Sequence, residues 1–516
     1  MLAAVGVASA ARPATVVVVS GHGWGHGVGM SQWGARGYAL HGWHWQQILG
    51  HYYPGTQVST TANIRVRVLL AASQPSVSVG CPAGMRVSDA TGRTYALPPS
   101  TYDLGPGLKL PVGLHGKPRQ LPSPIAFDCS SAPLEWNGAA YHGVLVVRSV
   151  GGKMSVVDAV DLEDYVRGVV GGEMPWHWPL AALEAQAVAA RSYALATIHP
   201  TARFDLYADD RSQEYGGIGY ETTNTIYACQ QTYGHILTYG GRVATTYFFA
   251  SSGGRTADVK EVWPRLGAVP YLRSVADPYD SSSPVHAWAR SLSAQVLSAR
   301  LRAPYGTVQV VHTGSGRVSS VAIGATTLSG DEFMQRLHLR STWFSIGELS
   351  LTDGRASVVY GGKVQLVARA NGVTGALLQR RRGAGDWVTL KRVASGERVL
   401  VRPREYTIYR LTAGRVRGPE VAVSVAPRVR VRAAAAALLA GAVAPRSPGA
   451  ITVQRSVGGA WRVVARPQLD GRGVFRTPLR LRPGSYRVTI AAGGGLAPAE
   501  KTLRVTPRLL ASLRHP

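Results

Sequence analysis

The 516-residue chain carries 56 Lys and Arg against 29 Asp and Glu, a net charge of +27, with only three cysteines. Its length calls for two to four domains, its 45% hydrophobic content excludes a disordered tail, and three cysteines exclude a disulfide-stapled miniature. The Ala/Leu-rich stretch 433–444 is too short to span a bilayer, and the basic excess, mostly Arg and spread along the chain without a basic-aromatic cluster, suits an anionic cell wall better than nucleic acid.

Residues 1–11 read as the remnant of a secretory signal, ending in the small-x-small pattern Ala8-Ser9-Ala10 without a charged leader, so the protein is expected to be exported. Residues 16–19 (Val-Val-Val-Val) form a strand that feeds a Gly/His/Trp-rich run, 21–36, too Gly-rich for a helix. A short helix is expected between Gly37 and Tyr53, and a half-buried strand from Ile64. Residues 76–135 hold short strands broken by Pro/Gly pairs, a β-rich subdomain that a Cys81–Cys129 disulfide would staple in an oxidising compartment. Val144–Val147 and Met154–Val160 flank Gly151-Gly152 as a tight hairpin. Leu162–Val170 is a short helix, and after Glu173 an Ala-rich helix runs from Pro179 to about Thr197. A further helix spans Thr222–Tyr233, with Cys229 as a buried thiol. His235–Tyr239 and Arg242–Phe249 then form a hairpin about Gly240-Gly241, and strands over Val310–Gly324 and a helix near Asp331–Leu337 close this region.

From about residue 348 the pattern changes to alternating strands. Gln379-Arg380 with Trp387-Val388 recurs as Gln454-Arg455 with Trp461-Arg462, and Glu405–Arg410 finds an echo from Ser485 onward. A period of about 75–80 residues fits two β-sandwich modules, 348–427 and 428–507, whose Trp residues are expected as core anchors.

Glu173 stands out among the acids. It sits in a Gly-Gly/Met-Pro turn beside Trp176 and Trp178, and apolar surface raises a carboxyl pKa enough to hold a proton near neutral pH. Glycoside cleavage needs such a general acid, and a two-carboxylate hydrolase needs a partner as well; Asp158, Asp161, Glu163 and Asp164 precede it but share no motif with it. The other reading is an acid near a helix N-terminus that favours the dipole. Arg191 either binds substrate or pairs with Glu163, Asp164 or Glu184. Ser251, Ser252 and Gly253 either offer backbone N–H groups to a sugar or make an ordinary turn. In the Gly-rich run, Trp24 and Trp33 suit stacking on sugar rings, and Ser31 and Gln32 suit hydrogen bonds to hydroxyls; packing against the core is an equal alternative.

Glu173-Met-Pro-x-x-Trp-Pro with Ala-Gln-Ala-Val-Ala-Ala-Arg191-Ser-Tyr, Phe249-Ala-Ser-Ser-Gly-Gly-Arg-Thr, and Gly23-Trp-Gly-His26-Gly-Val-Gly-Met-Ser-Gln-Trp-Gly together resemble the SpoIID/LytB (stage II sporulation protein D) family over roughly residues 20–346. The resemblance implies a lytic transglycosylase that cleaves peptidoglycan glycan strands with one acid, at the position of Glu173, and forms 1,6-anhydro ends. The alternative it implies is a non-catalytic, wall-binding enhancer of an amidase. His26, Ser31 and Gln32 then line the substrate groove, with Ser212 and Gln213 as weaker counterparts of family polar residues. The Gly-His-Gly motif usually closes the domain and here opens the chain, so the N-terminal strand is expected to return to the place a C-terminal one usually fills. Some relatives bind zinc near the segment that here reads Asp209-Asp-Arg-Ser-Gln-Glu-Tyr215; without Cys or His there, no metal or other cofactor is expected.

The whole reads as an α+β protein: a mixed catalytic domain over 12–346 containing the β-rich 76–135 insertion, then two β-sandwich (Ig-like) modules. Its expected partners are peptidoglycan glycan strands, anionic wall polymers and an amidase; nucleic acid and membrane spanning are not expected. A purely structural envelope protein is the weakest alternative.

Overall fold

The computed structural model describes residues 15–513 except 130, 199–202, 355 and 447–448; the expected signal remnant, 1–11, lies outside the described residues. Strand Val16–His22 runs antiparallel between Ala287–Ser293 and Phe344–Asp353. Its side chains alternate between two cores. Val17 and Val19 pack with Leu297, Phe333 and Phe344, whereas Val18 packs with Leu349, Leu366 and Leu378. The N-terminal strand is therefore held on both edges by strands from the C-terminal half.

Arg65–Gln74, Lys153–Asp161 and Val144–Val150 lie side by side in a seven-stranded sheet, and Ile125–Asp128, Met85–Ser88 and Thr94–Leu97 extend the same sheet. The β-rich segment is thus an extension of the main sheet, with a second four-stranded sheet carrying Val77–Cys81. Cys81 and Cys129 are joined by a disulfide. The two Gly-Gly hairpins form as expected, with φ +58° and +73° at Gly151 and Gly152 and +56° and +74° at Gly240 and Gly241, angles that disfavour any other residue. After the second hairpin the strand is shorter than the pattern predicts: only Arg242–Val243 pairs there, and Phe248–Phe249 pairs in parallel with Met30–Ser31.

The region from Gly37 to Tyr53 forms two helices, α1 (Gln32–Leu40) and α2 (Trp45–Tyr52), separated at Gly42 with φ +83°. Helix α1 starts inside the Gly-rich run because the Ser31 hydroxyl accepts the Gly34 N–H at 3.1 Å. Its glycines serve close approach: a Cβ at Gly34 would stand 2.0 Å from the Tyr52 hydroxyl, and one at Gly37 would stand 2.2 Å from the Tyr279 carbonyl oxygen. Helix α3 (Leu162–Glu173) continues through Gly171-Gly172, so Glu173 ends a helix instead of sitting in a turn. Those glycines admit the Gly217–Tyr220 turn, since a Cβ at Gly171 would lie 1.8 Å from the Tyr220 carbonyl oxygen. Pro179 caps the next helix, α4 (Leu180–Thr197), with an extended ψ of 139°, so the helix begins one position later than expected. Ala182, Ala185, Ala187, Ala189, Ala190 and Ala194 are all fully buried, which makes α4 the central helix, with α1, α3 and α5 (Thr223–Gln231) against it. Cys229 on α5 is buried, and burial pushes its thiol up to about 12.

The expected module boundary at 348 falls inside strand Phe344–Asp353, which joins the N-terminal strand to Val364–Arg369 in one sheet. A second sheet built on Leu377–Arg382 and Thr407–Ala413 closes a core of Leu349, Leu366, Leu378, Tyr409, Leu411 and Val423. The last region packs Arg428–Ala435, Leu438–Ala444 and Val474–Pro478 against a four-stranded sheet over Leu439, Val453, Phe475, Tyr486 and Val488. Neither core contains Trp387 or Trp461, contrary to their expected role as core anchors.

Candidate active site

Glu173 opens onto a cavity of about 640 Å³. Its carboxylate is held from two directions: Oε1 accepts the Glu214 backbone N–H at 2.9 Å, and Oε2 accepts Gln32 Nε2–H at 2.9 Å. Burial raises its pKa; those two donors oppose the rise, and the nearby Glu214 carboxylate adds to it. The position at the C-terminal end of α3 acts in the same upward direction, because carbonyl groups converge there and disfavour a negative charge. The helix N-terminus reading of Glu173 is therefore reversed.

Trp176 and Trp178 do not line this cavity. Trp176 is 57% exposed, and Trp178 packs edge-on against Trp33 with ring centroids 4.9 Å apart. The apolar wall comes from Tyr193 on α4, from Tyr247, Phe248 and Phe249, and from Trp24 and Trp263. Asp210, Arg211, Ser212 and Glu214 make the polar side. Two further cavities, of about 510 and 430 Å³, share the half-exposed Trp24 with it and are lined on their other side by Arg340.

His26 lines the cavity and is fixed in one tautomer. Its Nδ1 accepts the Val28 N–H at 3.1 Å, so Nε2 carries the proton and donates to the Phe248 carbonyl at 3.0 Å. Burial, with the Arg317 charge adding to it, lowers its pKa to about 4, which keeps the ring neutral. Gln32 and Ser212 also face the cavity; the Ser212 hydroxyl accepts the Tyr207 N–H at 3.1 Å.

Other expected substrate contacts are spent inside the protein. Arg191 is fully buried, with Nε and Nη2 on the two Glu163 oxygens at 2.8 and 2.7 Å and Nη1 on the His235 carbonyl at 3.0 Å. It is the ion pair, not a sugar contact. Gln213 is buried and donates to the Tyr165 hydroxyl at 2.9 Å. Ser251, Ser252 and Gly253 wrap an acid that sequence reasoning missed: the Asp280 carboxylate accepts the Ser251 hydroxyl, the Ser252 and Gly253 N–H groups (both 2.9 Å), the Ser31 hydroxyl (3.0 Å) and His286 Nδ1 (2.9 Å). With φ +72° at Gly253 and a Cβ there falling 2.6 Å from the Gly23 nitrogen, glycine is required for this nest. Asp277 stands beside it, accepts the Ser252 hydroxyl at 2.7 Å, and has its pKa pushed up to about 6 by burial.

The four acids ahead of Glu173 are likewise committed elsewhere. Asp158 is buried on the Tyr215 hydroxyl, Asp161 pairs with Arg65, Glu163 with Arg191 and Asp164 with Arg167. The carboxylates that share the cavity are Asp210 and Glu214, and the only signal for them was their place in the segment weighed for metal binding. That segment does not suit zinc: Asp209 is paired with Arg211, Gln213 is turned inward, and among the described residues no three His, Cys, Asp or Glu side chains converge.

Residues 150–239, a stretch that includes Glu173, Arg191, Ser212 and Gln213, match the SpoIID family model, stage II sporulation protein. Over 210 residues the chain is 30% identical to stage II sporulation protein D of Bacillus subtilis, covering 36% of this chain and 61% of that protein. An uncharacterized protein of Brachyspira hyodysenteriae is 38% identical over 165 residues, 31% of this chain and 44% of its own length. The amidase enhancer of Bacillus subtilis is 38% identical over 139 residues, 26% of this chain and 18% of that one. The chain therefore spans less than two thirds of each of these relatives. A two fibronectin type-III domain segment of chicken tenascin covers 30% of this chain and 98% of its own, at 13% identity and a TM-score of 0.22, too slight to bear on the fold.

Proposed function

We propose that the chain is an exported, sporulation-related cell-wall protein that cleaves peptidoglycan glycan strands as a lytic transglycosylase, with Glu173 as the general acid and then base. The observation that carries this reading is the carboxyl of Glu173, raised in pKa by burial and held by Gln32 and Glu214 at the side of an aromatic-walled cavity. A protonated Glu173 gives its proton to the glycosidic oxygen as the C1–O bond breaks. The sugar's C6 hydroxyl then closes on C1 and returns a proton to Glu173, which leaves a 1,6-anhydro end and consumes no water. Aromatic rings around the cavity suit the apolar faces of sugars, and the neighbouring cavities that share Trp24 suit further units of a polymer.

A second reading is favoured by one specific observation, the 38% identity to an amidase enhancer: the same groove holds glycan without cutting it and stimulates a separate amidase. Incubation of the protein and its Glu173→Gln variant with glycan strands, followed by mass spectrometry, separates the two. Anhydro ends from the wild type, reduced by about 10²-fold or more in the variant, support the enzyme. New reducing ends instead would indicate hydrolysis with Glu214 or Asp210 as partner. No cleavage, with full amidase stimulation by both proteins, would establish the enhancer.

A further inference from the structure

The two tryptophans absent from the sandwich cores occupy equivalent places on the outer faces. Gln379 and Arg410 are cross-strand partners, as are Gln454 and Arg487. In the first sandwich Arg410 Nε donates to Gln379 Oε1 at 3.1 Å, and its guanidinium carbon lies 3.7 Å from the Trp387 ring centre. In the second, Arg487 Nε donates to Gln454 Oε1 at 2.9 Å, and its guanidinium carbon lies 4.4 Å from the Trp461 ring centre. Each arginine follows a buried tyrosine, Tyr409 or Tyr486, so the alternation of the strand sends it outward. The sequence repeat thus preserves a three-residue device that neither core uses.

Its chemistry is that of a pre-set anion fork. Stacking on tryptophan fixes the guanidinium plane, and the glutamine consumes Nε, which leaves the two Nη groups as the free edge. Arg410 has no salt bridge among the described residues. Arg487 Nη1 stands 3.6 Å from Glu500, a 65% exposed carboxylate whose surface pairing is weak and displaceable. The surroundings share the sign: residues 348–516 hold 30 Lys and Arg against 8 Asp and Glu, a surplus of 22 within the chain's net +27. The basic excess is therefore concentrated in this tail and not spread evenly, and it does lie beside aromatic residues.

We propose that Arg410–Trp387–Gln379 and Arg487–Trp461–Gln454 are tandem binding sites for a linear wall polyanion whose repeating unit carries a carboxylate or a phosphodiester. Two forks on one chain engage one polymer, so the second contact is intramolecular and strengthens retention. This inference goes beyond the Glu173 reading and does not depend on it. The test uses the full chain with three probes, poly(glycerol phosphate), a linear polyuronate and duplex DNA, and measures Kd at fixed salt. The R410K/R487K variant keeps every charge but loses the fork and is expected to weaken the preferred wall-type probe by about tenfold or more. A control pair on exposed arginines, R430K/R432K, is expected to leave it unchanged. The Q379A/Q454A pair, which keeps both arginines, should give a smaller loss and guards against misfolding of the first variant. Preference between the phosphate and uronate probes identifies the oxyanion. Equal loss in the control pair, no loss in R410K/R487K, or DNA bound as tightly as the better wall-type probe would each overturn the proposal.

Discussion

Gln32 and Glu173 are 141 positions apart in sequence and joined by a 2.9 Å hydrogen bond in the fold. The contact exists because Ser31 is locked on Asp280 and caps α1, so the first residue of that helix is aimed at the last residue of α3. Gln32 donates to the carboxylate and so favours its ionised form. In Gln32→Leu the pKa of Glu173 should move further up. The acid form then survives to higher pH, and the alkaline limb of the pH–rate profile for glycan cleavage should shift upward. The maximal rate should fall by roughly tenfold because one positioning contact is gone. An alkaline limb that stays in place would show that Gln32 does not tune the acid.

Asp280 is fully buried beneath five donor groups. Asp280→Ala leaves those donors buried without an acceptor and should cost about 3–5 kcal/mol. Urea unfolding followed by tryptophan fluorescence reads this directly. A loss below about 1 kcal/mol would mean that water replaces the carboxylate.

Arg191 separates a structural role from a substrate role. Arg191→Leu strands the Glu163 carboxylate in the core and should lower stability by about 3–5 kcal/mol. In whatever fraction stays folded, glycan affinity should be unchanged. A normal melting temperature combined with weakened glycan binding would return Arg191 to the substrate.

Asp158 supplies a pH signature in stability. Burial pushes its pKa from 3.8 to about 7, and Oδ1 has no hydrogen-bond partner among the described residues while Oδ2 accepts the Tyr215 hydroxyl. Between pH 4 and 7 the folded chain keeps a proton that the unfolded chain has lost, so this group's contribution is full below about pH 4 and declines as pH rises to 7. Asp158→Asn removes the ionisation. Its melting temperature relative to wild type should therefore climb across that window and level off above it. A difference that is flat in pH would show that Asp158 titrates normally.

Features that rest on local pattern and composition are legible in the sequence alone. The Gly-Gly hairpins, the Ala-rich central helix, the N-terminal strand and the Cys81–Cys129 pairing follow from turn chemistry, periodicity and composition, and Glu173 stood out by its motif. Where a residue's role depends on what approaches from elsewhere, local reasoning misread it. The glycines at 34, 171 and 172 read locally as helix breakers, yet they lie within helices, and glycine is needed there because Tyr52, Asp277 and Tyr220 leave no room for a Cβ. Trp176 and Trp178 looked like the apolar wall, but topology assigns that wall to Trp24, Tyr193, Tyr247 and Trp263.

The sequence by itself determined that Glu173 lies in a stretch similar to the SpoIID family and that the tail repeats. Only the tertiary structure decided which groups meet: Gln32 and Glu214 on Glu173, Glu163 on Arg191, Asp280 within the Ser-Ser-Gly-Gly turn, and arginines over the repeated tryptophans. The physical reason is range. Hairpins and helices close over a few residues, whereas contacts such as Gly253 with Asp280 and Ser31 with Asp280 close over 27 and 249 residues, and those are set by how sheets and helices pack.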